Sequence, residues 1–292
     1  MAMTSHDTVT FDAPPDAGTL SRRRELSATA RSLLLTVLGE FVLPRGEPVW
    51  TRALLDLLGE LGVEQKSARQ ALSRTAAEGL IDSSREGRRV RWELTESGHR
   101  LLSAGAHRIY TFGTSEVAWD GRWLVLLASV PESRRQLRHR LRTRLAWAGF
   151  GSPAPAVWLS PDAEKQAEAA EVIRELGLAE VASSFIGPFG PIGEQREMVA
   201  QAWNLDRVEL AYQDFIATFQ RAEPTTPADV AREQINLVHA WRRFPFLDPQ
   251  LPAELLPSGW IGVKATELFH DRHRRWDADA RRHWEHLLRT AD

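Results

Sequence analysis

No cysteine occurs in the 292 residues, which excludes disulfides, thiolate metal sites and a thiol nucleophile and suits a reducing compartment such as the cytoplasm. Long apolar stretches are missing too. The longest, Trp123 to Val130, falls far short of the roughly 20 residues a membrane helix needs, so no bilayer span is expected. The segment Met1 to Gly18 carries Asp7, Asp12 and Asp16 with Pro14 and Pro15 and lacks the basic-then-apolar order of a secretory signal. Residues 1–25 are predicted to form a disordered tail.

Catalytic signatures are lacking as well. Gly187, Gly190 and Gly193 are interleaved with Pro188 and Pro191, whose missing amide protons disqualify the stretch as a phosphate loop. No nucleophile elbow and no fixed-period repeat appear, so the chain is not expected to be an enzyme. A large excess of charge of one sign is also absent, the net charge being −2. Its distribution matters more than its sum. Residues 1–21, 22–110, 111–190 and 191–292 carry −3, +4, 0 and −3, so one basic module is joined to a neutral one and an acidic one. That balance is expected where only the first meets phosphate.

What is present is a chain long enough for two or three domains, each with its own core. Leu33, Leu34, Val37, Leu38 and Phe41 recur at helical spacing, and Pro44 and Gly46 end that helix. After the extended Pro48 to Trp50, Thr51 is read as the N-cap of a second helix carrying Leu54, Leu55, Leu57, Leu58 and Leu61. A third helix, about Glu64 to Glu78, turns Ala68, Leu72 and Ala76 inward. Strands at Leu80 to Ser84 and Arg89 to Leu94 flank a Gly-containing loop, and Thr95 caps a fourth helix with Leu101, Leu102, Ala106 and Ile109 inside.

Beyond a connector at Gly113 to Gly121, strands at Trp123 to Val130, Ala156 to Leu159 and Val181 to Ile186 alternate with helices at Glu132 to Trp147 and Asp162 to Leu176. Past the Pro/Gly-rich Gly187 to Gly193, helices are predicted around Glu194 to Ala202, Arg207 to Arg221, Pro227 to Phe244, Lys264 to Arg275 and Ala278 to Leu288. The class is α+β: a winged helix-turn-helix over 26–112, a middle domain over 113–190 and a mainly helical C-terminal domain over 191–292.

With Leu72 pointing inward, Lys66, Ser67, Gln70, Ser73 and Arg74 point outward, and Arg69 borders the same polar face. Arg and Gln can make two hydrogen bonds to one base edge, whereas Lys and Ser fix register on phosphates. Arg74 and Gln70 are therefore the expected base readers, and Lys66 and Ser67 the phosphate contacts. The hairpin adds Arg85, Arg88, Arg89 and Arg91 within seven residues, near enough for phosphates or the minor groove. A single surface arginine is usually only a solvated charge; the succession helix, helix, polar-faced helix, basic hairpin is what points to DNA.

The segments Ala30–Glu40, Pro44–Gly46, Val49–Trp50, Ser67–Arg74, Gly87–Arg89 and Leu94–Gly98, followed by Trp119–Trp123, Pro131–Glu132, Trp147–Gly151, Trp158–Pro161, Arg242–Pro249 and Leu251–Pro257, resemble the PaaX family of phenylacetate-degradation repressors, which carry a GntR-like winged helix. The resemblance spans roughly residues 28–290. It implies a homodimeric, cytoplasmic repressor that binds double-stranded operator DNA and is released by an acyl-CoA effector such as phenylacetyl-CoA. A regulator of the same fold answering to another aromatic acid or thioester remains open, as does a CoA-thioester-binding enzyme whose winged helix does not bind DNA. The resemblance further implies a ferredoxin-like middle domain related to a CRISPR-adaptation nuclease with a metal-binding Asp. Ser129 stands at the matching position, and a hydroxyl is a poor Mg²⁺ ligand, so this domain is read as a dimerisation platform.

Two groups are candidates for the effector. Arg134, Arg138 and Arg142 form a stripe opposite Leu137, Leu141 and Leu145, suited to phosphates or simply a solvated face. Trp241, Arg242, Arg243 and Phe244, with Phe246 nearby, suit an aromatic acyl group and a phosphate, though core packing explains the aromatics equally well. His270, His273, His283 and His286 near Asp271 and Asp277 lack an evident converged ligand set, so no metal and no cofactor are predicted.

Overall fold

A computed structural model describes residues 29–114 and 118–291, so the expected tail lies outside the described residues. Helix α1 (Ala30–Val37) is capped by Thr29, whose hydroxyl accepts from the Ser32 amide, and continues as a π-helical turn, Leu38–Val42. Strand β1 (Val49–Trp50) leads into α2 (Thr51–Glu60) and α3 (Gln65–Ala77). The cap of α2 is Trp50, not Thr51 as the sequence suggests. The Thr51 hydroxyl is engaged elsewhere: it donates to the Val90 carbonyl at 2.9 Å and accepts from Trp92 Nε1 at 2.8 Å, fastening α2 to the hairpin.

That hairpin is β2 (Ile81–Glu86) and β3 (Arg89–Leu94), and β3 lies between β1 and β2 in an antiparallel sheet. The strands run further than their sequence signals and leave only Gly87 and Arg88 in the turn, Gly87 at φ 61°. Thr95 caps α4 (Glu96–Thr111) as expected, accepting from the Gly98 amide at 3.0 Å.

The middle segment comprises β4 (Arg122–Ala128), α5 (Arg135–Trp147), β5 (Gly151–Ala154), β6 (Val157–Ser160), α6 (Gln166–Glu175) and β7 (Ala182–Pro188). Its strands form an antiparallel sheet in the order β5-β6-β4-β7. Alternation along β4 sends Leu124 and Leu126 to the core under α5 and α6, and Trp123 and Val125 to the opposite face. Strand β5 was not legible. Its sequence Gly-Ser-Pro-Ala has neither β-branched nor aromatic residues, and what fixes it is tertiary: the Trp203 indole packs so tightly on Gly151 that an added Cβ would lie 2.4 Å from the ring.

Helices α7 (Gln195–Ala202), α8 (Leu205–Phe219), α9 (Pro227–Trp241), the short α10 (Phe244–Leu247) and α11 (Gly262–Ala291) complete the chain. The two helices expected at the C-terminus are one, with Trp276 buried in the predicted gap and Ala280 and Trp284 continuing its inward stripe. The larger correction concerns the cores. The N-terminal helices and the C-terminal helices do not bury separate interiors: Leu34, Leu38, Leu54, Leu58 and Leu72 share one cluster with Tyr212, Phe215, Trp241, Phe269 and Trp284. Among the described residues the middle segment keeps a core of its own on one face of its sheet, and on the other face Trp123 and Leu159 share a third cluster with Val199, Trp203 and Leu251. Helix α11 spans the junction, packing on α9, α8 and α2.

Candidate nucleic-acid interface

Helix α3 buries Ala68, Ala71, Leu72 and Thr75, and this phase decides what faces outward. Lys66, Arg69, Gln70, Ser73 and Arg74 are exposed, and Ser67 is half-buried at the edge. Among the described residues the side chains of Lys66, Arg69, Gln70, Ser73 and Arg74 make no hydrogen bond or ion pair. Donors kept free on one face are what phosphate and base edges require.

The basic hairpin is less uniform than its sequence. Pairing of Ser84 with Arg91 and Glu86 with Arg89 places both arginines on one face of the sheet, with Arg85 opposite Val90 on the other. Trp50 pairs with Arg91 from the other side, and the guanidinium carbons of Arg89 and Arg91 lie 4.3 and 4.1 Å from its ring centroid. Arg91 also meets Glu86 at 2.8 Å. Arg89 and Arg91 are thus held by cation–π contacts, whereas Arg85 and Arg88 stay exposed, without an ion pair among the described residues.

The expected effector groups are not brought together. Trp241 and Phe244 are fully buried, Trp241 stacked on Phe269 at 4.7 Å and Phe244 on Tyr212 at 4.3 Å. Arg242 donates to the Ser32 carbonyl at 3.0 Å and to Thr36 Oγ1 at 3.3 Å, tying the C-terminal helices to α1. Burial, then the Arg31 charge, lowers its pKa. Arg243 is exposed beside Phe244. On the middle segment Arg134 and Arg142 are exposed, and Arg138 pairs with Glu132 at 2.6 Å. Trp241 and Phe244 thus belong to the shared core and Arg242 to the contact with α1, leaving Arg243 as the exposed member of the C-terminal group.

That junction also buries charge. The π-helical turn inserts an extra residue, with the Leu43 amide donating to the Leu38 carbonyl at 2.8 Å, and it brings Glu40 inside at 4% exposure. Glu40 accepts from Gln234 Nε2 of α9 at 2.9 Å and from the Tyr110 hydroxyl of α4, and lies 2.7 Å from His273 Nε2 of α11. Burial, reinforced by the Glu40 carboxylate, drives the Tyr110 pKa far above its ordinary value, so the phenol remains a donor. Burial raises the nearby Asp277 carboxyl, but Arg281, which reaches both of its oxygens at 2.9 Å, outweighs this and holds it below its usual range. Glu40, His273 and Asp277 have ligand atoms within 4.8 Å of one another, the one such cluster among the described residues. Their oxygens are already engaged by protein donors, and the guanidinium supplies positive charge, so we read the cluster as a lock between segments.

His239 lies at the same seam, Nδ1 3.0 Å from Thr36 Oγ1. Burial, then the Arg242 charge, pushes its pKa from 6.5 down to about 4. The folded chain keeps the imidazole neutral, whereas the unfolded chain takes up a proton below pH 6.5. The contribution is therefore intact above pH 6.5 and is lost as pH falls towards 4. Urea titrations at pH 7 and pH 5 should show a loss on the order of 2 kcal/mol attributable to this residue, seen as a smaller pH difference in His239→Gln. Equal differences in parent and variant would refute the assignment.

Family models described as PaaX-like protein, PaaX protein central Cas2-like domain and PaaX-like protein C-terminal domain match residues 29–98, 116–199 and 203–286. The transcriptional repressor PaaX of Escherichia coli (strain K12) is 32% identical over 256 residues, covering 84% of this chain and 79% of that protein. The chain belongs to the PaaX family. An uncharacterized Mycobacterium tuberculosis protein, Rv0674, superposes with a TM-score of 0.60 at 22% identity over 88% of this chain and 99% of its own, a likeness of fold. The class is α+β, with helices and two antiparallel sheets. Among the described residues no helix is long and apolar enough to cross a membrane.

Proposed function

We propose that this PaaX-family chain is a transcriptional repressor, not an enzyme, that docks the outward face of α3 in the major groove of operator DNA with the β2–β3 hairpin alongside. In this reading residues 26–112 are a winged helix-turn-helix, 113–190 a ferredoxin-like platform and 191–292 a helical domain that braces the reading head. The carrying observation is the row of exposed donors Lys66, Arg69, Gln70, Ser73 and Arg74, which have no side-chain partner among the described residues. Arg85 and Arg88 extend it, while Arg89 and Arg91 stiffen the hairpin on Trp50. The repressor acts as a homodimer. Strand β7 lies at a sheet edge and exposes Phe185 and Ile186, the kind of apolar edge a second copy covers. Release by an acyl-CoA effector such as phenylacetyl-CoA completes the proposal, on the strength of the family, and the relevant ligand class extends to other aromatic acids and their thioesters.

Salt-dependent DNA titrations test the reading head. Lys66→Ala is expected to lower the slope of log affinity against log salt by about one phosphate equivalent, and Arg74→Ala to reduce discrimination at one base pair by roughly 1–3 kcal/mol. If neither substitution changes affinity, slope or selectivity, α3 is not the reading helix.

A further inference from the structure

A cleft of about 270 Å³ opens where three parts of the chain meet: Arg108 from α4, Arg144 and Trp147 from α5, Glu168 and Val172 from α6, and Phe246 from α10. Trp147 and Phe246 are 49% and 51% exposed, although their rings are neighbours with centroids 5.9 Å apart. Two large rings side by side form an apolar platform that the described residues leave uncovered. The Arg108 guanidinium lies 5.0 Å from the Phe246 centroid and has no ion pair among the described residues. The other charges are largely spoken for, with Arg144 paired to Glu175 and Glu171 to Arg174. The charge beside the rings is therefore the Arg108 cation, and Glu168 also lines the cleft.

We propose that this cleft binds an aromatic ring carrying an acidic or acyl group, the ring lying on Trp147 and Phe246 and its oxygens meeting Arg108. At about 270 Å³ the cleft falls just below the usual range of ligand sites, which run from about 300 Å³ upward. It accommodates a substituted phenyl group and leaves any larger carrier outside. Helical spacing sets Arg140 one turn from Arg144 on the exposed side of α5, placed for the phosphates of a carrier. A free aromatic carboxylate and an aromatic acyl thioester share this chemistry. The site deepens the proposed effector response and rests on that reading, since a ligand there touches the last turns of α4, which leads out of the reading head, and both other segments at once. A ligand that binds one arrangement of these segments better than another shifts the equilibrium between them.

The test is isothermal titration calorimetry of the full chain with phenylacetate, phenylacetyl-CoA and acetyl-CoA. Expected is binding of phenylacetate, of phenylacetyl-CoA or of both, and at least tenfold weaker binding of acetyl-CoA. Phenylacetate binding would identify the free acid as sufficient, and binding of the thioester alone would assign the carrier a share. Phe246→Ala and Arg108→Gln should each weaken the ring-bearing ligand at least tenfold while circular dichroism shows the parent fold; if Phe246→Ala misfolds, Arg108→Gln decides. No binding of either aromatic probe, equal binding of acetyl-CoA, or parental affinity in the variants would overturn the site. Operator retardation measured separately distinguishes failures: a chain that binds the ring but no DNA refutes the repressor reading and leaves the cleft standing.

Discussion

Glu40→Ala is expected to destabilise the chain by about 3–5 kcal/mol, the usual consequence of removing one partner from a buried charged network. The alanine leaves Gln234 Nε2, the Tyr110 hydroxyl and His273 Nε2 facing a void in the shared core, each having lost a bond it makes to this carboxylate. Tyr110→Phe removes only one donor and should cost about 1–2 kcal/mol. Because the groups come from the π-helical turn after α1, from α4, α9 and α11, urea unfolding followed at the N-terminal and C-terminal helices should move together to lower midpoints. A loss below 1 kcal/mol in Glu40→Ala, or separate transitions for the two ends, would show that the cluster does not lock them.

The same cluster shows where sequence stops being informative. The outward face of α3 was readable because a single period, that of Ala68 and Leu72, fixes every other side chain on the helix. The hairpin was readable from Gly87 and its flanking strands. Its arginines were legible as a group but not as individuals, since only the register sets Arg89 and Arg91 against Trp50 and Arg85 on the other face. Glu40 looks like an ordinary polar position on an amphipathic helix; a π-helical turn and three partners 70, 194 and 233 residues away turn it inward. Trp241 and Phe244 carry the composition of a ligand site, yet the helix phase of α9 and the stack on Tyr212 and Phe269 consign them to the interior. The rings left in solvent, Trp147 and Phe246, are adjacent only through α5 packing beside α10, a relation no local pattern encodes.

Gly98→Ala should be comparably severe, for a steric reason. A Cβ on Gly98 would stand 2.0 Å from the Leu80 carbonyl oxygen and 3.0 Å from its carbon, and backbone cannot rotate aside as a side chain does. The Leu80 carbonyl already accepts from the Thr95 amide at 3.1 Å, and the Thr95 hydroxyl donates to the Gly79 carbonyl at 2.6 Å. Relieving the overlap therefore means lifting the first turn of α4 off the chain that enters β2. We expect a loss of about 3 kcal/mol or more, with weakened operator affinity because the hairpin is anchored at that seam. Gly105→Ala in the same helix is the control: nothing lies within 4 Å of its Cβ position, so the better helix former should gain about 0.5–1 kcal/mol. Thermal unfolding of the two variants should thus shift in opposite directions. Parallel shifts would mean that helix propensity, and not the contact with Leu80, governs this part of α4.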